Sequence, residues 1–362
     1  MNTHATTPGW VTHSRLESVR RRVLEWTEQD INSGWEDIIV VQGAAELGIA
    51  GNDPELIEWA ARWLDLQLEA GVREQAGMVH RQKGEQIVTG VYLNDYCGNW
   101  GYGFAAAAIL PARNDERYRN AILTVADFVL EKSPRAADGC IVHGGFTTDV
   151  WVDTLYYCAP PLAQAWSVSG TQAYATAAVE QCLLHAKHLR SDSTALWHHD
   201  ANPETGTRTV NLWARGLGWS LCALADTLRT VPDSTPGYDE ALYHYRSLAE
   251  GIVRLQHSNG MWRVMPENPD AYLETSGTAM MLTGLMSGIR SGWLQPYVVP
   301  MVERGLRELE TWVDAQGRLM GSQHPAGRGN WDSFKLVPTG EDTYATGFML
   351  RALAAWQDLG TV

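Results

Sequence analysis

Apolar positions along the chain recur at helical rather than strand spacing, and two kinds of helix alternate. One kind is poor in charge and rich in small residues, as in Gln42–Ala50, Gly103–Leu110 and Gly277–Gly284. The other is amphipathic and charged, as in Glu55–Glu69, Glu116–Lys132, Tyr174–Leu189, Asp239–Leu255 and Pro300–Val313. A helix that is apolar or small all round belongs inside, whereas an amphipathic one shows a face to water. Turn-like clusters at Gly51–Leu56, Arg113–Tyr118, Ser169–Tyr174, Thr235–Tyr238 and Gly292–Tyr297 separate the two kinds, at spacings of roughly 55 to 65 residues, room for two helices and two loops. With Ser14–Thr27 as the first outer helix and Thr343–Gln357 as the last inner one, the pattern predicts about twelve helices. No strand-like alternation competes. The expected fold is all-α, an (α/α)6 toroid of six hairpins, one domain over residues 14–362 behind a flexible tail over residues 1–13.

In such a ring, loops at one end of the inner helices can line a pocket. Those loops are Val91–Trp100, Cys140–Trp151, Leu196–Gly218, Asn268–Thr278 and Gly317–Thr346. The last is long and polar, and reads either as a lid or as an ordinary surface loop.

Chemistry concentrates in three of them. Cys140–Tyr157 begins as a glycine-bearing turn and becomes a helix from Trp151, with Asp149 placed to cap it. Asp153 follows about one turn further in, between Trp151 and Leu155. Partial desolvation and a second acid one turn away would both raise its pKa toward a value useful for donating a proton, which makes Asp153 the candidate acid. The alternative is a polar residue on the wet edge of a helix. Further on, the segment opening Trp213-Ala-Arg215 puts Arg215 on one helix face with Trp219. A guanidinium beside indoles can bind a planar carboxylate bidentately while the rings stack on a sugar. Its structural alternative is an arginine capping a core cluster and paired with an acid. His198 and His199 should point to opposite sides of an extended segment, so no metal site is expected. Thr275 or Ser276 would cap another inner helix, with Gly277 letting helices approach closely.

Composition narrows the partners. The 362 residues carry a formal net charge of −14 and no cluster of basic residues, which excludes nucleic acid and anionic membranes as expected partners. An anionic ligand must then be met by a few local cations. The N-terminus lacks the charged start and apolar stretch of a signal peptide, and no apolar run is long enough to span a bilayer, so a cytoplasmic protein is expected. Five cysteines without a Cys-x-x-Cys pair read as buried reduced thiols. Most of the sixteen tryptophans read as core volume.

From about Val91 to the C-terminus the chain resembles the unsaturated rhamnogalacturonyl hydrolases and their unsaturated glucuronyl relatives, glycoside hydrolase families 105 and 88. The resemblance is carried, in order, by Val142-His143, Trp151-Val-Asp153-Thr-Leu-Tyr156, Leu196-Trp-His-His199, Leu212-Trp213-Ala-Arg215-Gly-Leu-Gly-Trp219 and Leu273–Met280. It implies a six-hairpin toroid without metal or organic cofactor. The implied activity removes a 4,5-unsaturated uronic acid from the non-reducing end of lyase-generated oligosaccharides by hydrating its enol-ether double bond. On the same resemblance Asp153 becomes the general acid and base, and His143, Trp151, His199, Trp213, Arg215 and Trp219 bind the unsaturated ring. A second functional aspartate of the family aligns with Asp95 only through a gap, and Gly144 stands where many members have lysine. Two other readings stay open: a sugar epimerase on a similar toroid, using His143 and His199 as an acid/base pair, and a toroid that binds carbohydrate without catalysis.

Overall fold

The computed structural model describes residues 13–27, 31, 34–73 and 90–359. In chain order these contain α1 (His13–Glu25), α2 (Trp35–Ala50), α3 (Pro54–Ala70), α4 (Tyr102–Arg113), α5 (Glu116–Glu131), α6 (Val152–Ser169) and α7 (Gln172–Leu189). There follow α8 (Ala214–Thr230), α9 (Tyr238–Arg254), α10 (Thr275–Arg290), α11 (Val299–Thr311), the four-residue α12 (Trp331–Phe334) and α13 (Thr343–Leu359). The expected alternation holds. Helices α2, α4, α6, α8, α10 and α13 pack each on the next, and α13 returns to α2, closing an inner ring. The amphipathic helices lie outside it. In α11, Val302, Leu306 and Leu309 form the buried stripe, three and four residues apart, with Gly305 beside them, and the other positions are exposed or partly so. Asp53 and Asp115 cap α3 and α5 by accepting backbone N–H bonds from the first turn. The tail expected over residues 1–13 lies, His13 apart, outside the described residues.

Small residues allow the ring to close. A methyl group at Gly347 of α13 would stand 2.5 Å from the Ile39 carbonyl of α2, and one at Gly43 would stand 2.2 Å from the Gly347 carbonyl oxygen. Backbone cannot yield as a flexible side chain can, so Gly347→Ala is expected to destabilise the protein by about 1–3 kcal/mol. The change should appear as a lower urea midpoint at unchanged slope, and an unchanged midpoint would show that the seam has slack. Gly277 serves similarly between α10 and the start of α8, where an added methyl would meet Ala214 at 2.8 Å.

Four two-residue ladders tie the connecting segments together. β1 (Val72–Arg73) pairs in parallel with β2 (Val91–Tyr92), while β3 (Val150–Trp151) with β4 (Asp200–Ala201), β5 (Trp262–Arg263) with β6 (Leu273–Glu274) and β7 (Ser322–Gln323) with β8 (Thr339–Gly340) are antiparallel. The β3–β4 register sets Trp151 opposite Asp200, joining the segment before α6 to the one before α8. All five cysteines are buried free thiols, and most of the described tryptophans are buried or packed against the core. Among the described residues no helix is long and apolar enough to cross a membrane.

Candidate active site

The segments before the inner helices meet around a cavity of about 240 Å³, the liquid volume of about eight water molecules or one sugar ring. A chain of stacked groups runs along and behind its wall. His143 lies flat on Trp151, with ring centres 4.2 Å apart at 14°, and Trp151 meets His199 edge-on at 4.8 Å. His199 in turn packs on Trp213 at 4.5 Å, and the Arg215 guanidinium lies 4.3 Å from the Trp213 ring and 5.0 Å from that of Tyr344. The sequence scatters these groups over two hundred residues; the ring fold and the β3–β4 ladder bring them together.

Asp153 sits in this wall as the second residue of α6, nearer the helix start than its sequence spacing suggested. Its side chain is 18% exposed, and it lines the cavity. Burial pushes the carboxyl up to about 6, against the opposing pull of Arg215 and the helix backbone. Its Oδ2 has no hydrogen-bond partner among the described residues, and the nearest imidazole nitrogen, His199 Nε2, lies 3.7 Å away. That contact is not an ion pair, because burial pushes His199 down to about 3 and leaves it neutral.

Asp149 does not cap α6. Trp151 occupies the cap position in extended backbone, and Asp149 instead accepts from Thr147 Oγ1 at 3.0 Å, from Asn202 Nδ2 at 2.9 Å and from Arg328. The acid that feels Asp153 is Asp200, across the β3–β4 ladder. Its carboxyl is pushed up to about 6 by burial and then by Asp153.

His143 lines the cavity, its Nδ1 3.2 Å from both Thr154 Oγ1 and Cys97 Sγ, and burial pushes it down to about 3. Two neutral imidazoles are poor partners for the acid/base exchange an epimerase requires. His198 and His199 do diverge: His198 Nδ1 bonds the Thr209 carbonyl at 2.6 Å.

Arg215 is 1% exposed, yet its side chain borders the cavity. Nη1 donates to Ser276 Oγ at 3.1 Å and to the Gln323 carbonyl at 2.7 Å, while Nε has no partner and no carboxylate lies within ion-pairing distance among the described residues. Its anchors are themselves anchored. Buried Glu274 caps α10 by accepting from Ser276 N and Gly277 N, and it also accepts from Ser276 Oγ and Gln323 N. Glu274 therefore takes the capping role expected of Thr275 or Ser276.

Three of the expected site residues are not among those lining this cavity. Trp219 is fully buried one turn below Arg215, among Tyr156, Tyr157 and Phe348, and does not border the cavity. His199 stands behind Asp153 and Trp213 rather than on the cavity surface. Asp95 is exposed and does not line the cavity; its loop contributes Tyr96, Cys97 and Gly98 instead. Gly144 has φ +73°, and a methyl there would overlap the Asp95 carbonyl oxygen at 1.5 Å, so this backbone accepts no side chain at position 144. The long polar segment forms one wall of the cavity through Pro325, Ala326 and Gly327, and supplies Arg328 and Gln323, neither of which has a local sequence signal.

Residues 10–357 match Glycosyl Hydrolase Family 88. An unsaturated rhamnogalacturonyl hydrolase of Bacillus subtilis is 25% identical over 335 residues, covering 90% of this chain and 89% of that one. Among solved structures, a family 105 glycoside hydrolase of C. acetobutylicum superposes with a TM-score of 0.79 at 19% identity, covering 96% of this chain and 99% of that one. The unsaturated glucuronyl hydrolase of Bacillus sp. GL1, responsible for glycosaminoglycan degradation, gives 0.71 at 16% identity with 94% of each chain covered. The two structures share this fold.

Proposed function

The chain is a hydrolase of glycosyl hydrolase family 88, and we propose that it removes a 4,5-unsaturated uronic acid from the non-reducing end of oligosaccharides left by polysaccharide lyases. The observation that carries this reading is a buried arginine with no carboxylate partner among the described residues, bordering the same one-ring cavity as a carboxyl raised to about 6. A buried cation calls for an anion, and an unsaturated uronate brings one on the carbon next to its double bond. Asp153 gives its proton to ring carbon four. Positive charge develops at carbon five and the ring oxygen, and the Asp153 carboxylate then takes a proton from water as the water's oxygen bonds carbon five. The resulting hemiketal opens by breaking the bond between carbon five and the ring oxygen, and the neighbouring sugar leaves from carbon one. One carboxyl performs both proton transfers, unlike the paired acids that flank a glycosidic bond in ordinary displacement. His143, Trp151 and Trp213 bind the ring, with His199 supporting Asp153 from behind.

The likeness to hydrolases named for unsaturated uronides supports this substrate class. Reading residues 14–362 as one catalytic unit is supported by a cavity whose walls come from segments between Trp35 and Gly327. Five buried free thiols support a cytoplasmic setting. The test is turnover in heavy water of lyase-digested pectin or glycosaminoglycan, followed by loss of the ultraviolet absorbance of the double bond. Deuterium is expected at carbon four of the released uronate. Product formed with the double bond intact, or without label at carbon four, would point to displacement at the anomeric carbon and overturn the proposal.

A further inference from the structure

His143 lines the cavity with its ring clamped on three sides. It lies flat on Trp151 with ring centres 4.2 Å apart, and Tyr96 and Phe146 each meet it edge-on at 5.4 Å. Its backbone is held too: its N–H donates to the Asp149 carbonyl at 2.9 Å and its carbonyl accepts from Cys97 N at 3.2 Å. Burial keeps the ring neutral by pushing its pKa down to about 3, so one of its two nitrogens carries a proton and the other is bare. Nδ1 belongs to a small buried cluster. Thr154 Oγ1 and Cys97 Sγ each lie 3.2 Å from it, and Sγ lies 3.7 Å from Oγ1. Cys97 and Thr154 are fully buried, and neither side chain has a further hydrogen-bond partner among the described residues. Their two hydrogens need acceptors within the cluster. With Nδ1 bare, it accepts from the Thr154 hydroxyl while Oγ1 accepts from the Cys97 thiol, and both hydrogens are placed. A proton on Nδ1 adds a third hydrogen and removes that lone pair, leaving the buried Thr154 hydroxyl no acceptor but the thiol sulfur. Nε2 has no partner among the described residues and is not sealed from the cavity that His143 lines.

Resting on the proposed function, we infer that Thr154, backed by Cys97, is a positioning residue that holds the proton of His143 on Nε2, so that the ring donates a hydrogen bond into the cavity to an oxygen of the bound uronate. The partner of one imidazole nitrogen decides what the other can do. Arg215 meets the ligand with charge, and His143 adds a neutral, directional donor. In this tautomer Nε2 has no lone pair with which to act as a base.

Nitrogen-15 NMR of the full chain labelled at histidine locates the proton, because a bare ring nitrogen and an N–H resonate far apart; His143 is identified by the signals lost in His143→Gln. The wild type is expected to show the N–H at Nε2 and a bare Nδ1. Removing both donors together, in Cys97→Ala with Thr154→Val, should mix the two tautomers. The same variant should raise KM for the unsaturated oligosaccharides of lyase-digested pectin or glycosaminoglycan by on the order of tenfold, about the worth of one hydrogen bond, with a smaller change in kcat. Thr154→Ser keeps the hydroxyl and should keep the wild-type spectrum. A wild-type proton on Nδ1 overturns the inference even if the double variant fails to fold. So does a folded double variant that retains the Nε2 proton, or one that loses it with KM unchanged; in all three cases the hydration reaction stands. Consumption of neither digest by the wild type overturns the proposed reaction, and the ligand contact with it, whatever the spectrum shows.

Discussion

Replacing Asp153 with asparagine is expected to lower kcat on unsaturated uronides by roughly a hundredfold to ten-thousandfold, the range of a lost acid–base group, while substrate still binds. Asparagine keeps the size of the carboxyl and some of its hydrogen bonding but cannot deliver a proton to carbon four. The wild-type pH profile follows from the same group. Burial holds the Asp153 carboxyl at about 6, and the protonated form starts the reaction, so kcat/KM should fall as pH rises through that value. Stability supplies a control with its own sign. The folded-state pKa lies above the ordinary value of 3.8, so the native state binds the proton more tightly than the unfolded chain. The stabilising contribution is full below 3.8 and is lost as pH rises through about 6. At pH 7 the wild type therefore keeps a buried ionised carboxylate, and the neutral asparagine should melt no lower. An inactive variant that melts well below the wild type would indicate a damaged fold. An active, folded Asp153→Asn enzyme would remove Asp153 from the chemistry.

Much of this arrangement was legible before the structure. The two kinds of helix predicted the ring because burial all round and burial on one face leave different compositions, and α10 against α11 displays the contrast directly. His143, Trp151, Asp153, Trp213 and Arg215, singled out from segments before inner helices, do border one cavity. The misses share a physical cause. Helical spacing reports which face a residue occupies but not its depth, so Trp219 shared a face with Arg215 on paper and lies one turn deeper in the core. Asp149 sat where a cap is usual, but the β3–β4 ladder draws the preceding segment extended into Asp200 and turns its carboxylate to Arg328, 179 residues away. No local pattern announces such a pair. Glu274 carries no local signal that sets it apart from Thr275 or Ser276 as the cap, and only the structure shows it holding Ser276 and Gln323, the two groups that orient Arg215.

Arg215→Lys is expected to weaken turnover of unsaturated uronides by on the order of 1–3 kcal/mol in transition-state terms. Both residues carry the positive charge, so the comparison isolates geometry. The guanidinium is planar and is held beside the Trp213 ring at 4.3 Å and the Tyr344 ring at 5.0 Å, with Nη1 fixed by Ser276 and Gln323. A lysine ammonium can keep either the anchors or a ligand contact, since its three donors radiate from one atom and cannot reproduce the fork. Because the carboxylate is present in the substrate before carbon four is protonated, much of the loss should appear in KM. Any additional fall in kcat would mark contacts that tighten as the charge at carbon five develops. A purely structural arginine makes a different prediction: Arg215→Lys would then lower the urea midpoint and leave the kinetics of the remaining folded enzyme near normal. Binding of a saturated uronate to each folded protein separates the two readings, since only loss of a ligand contact weakens that binding in proportion to the rise in KM.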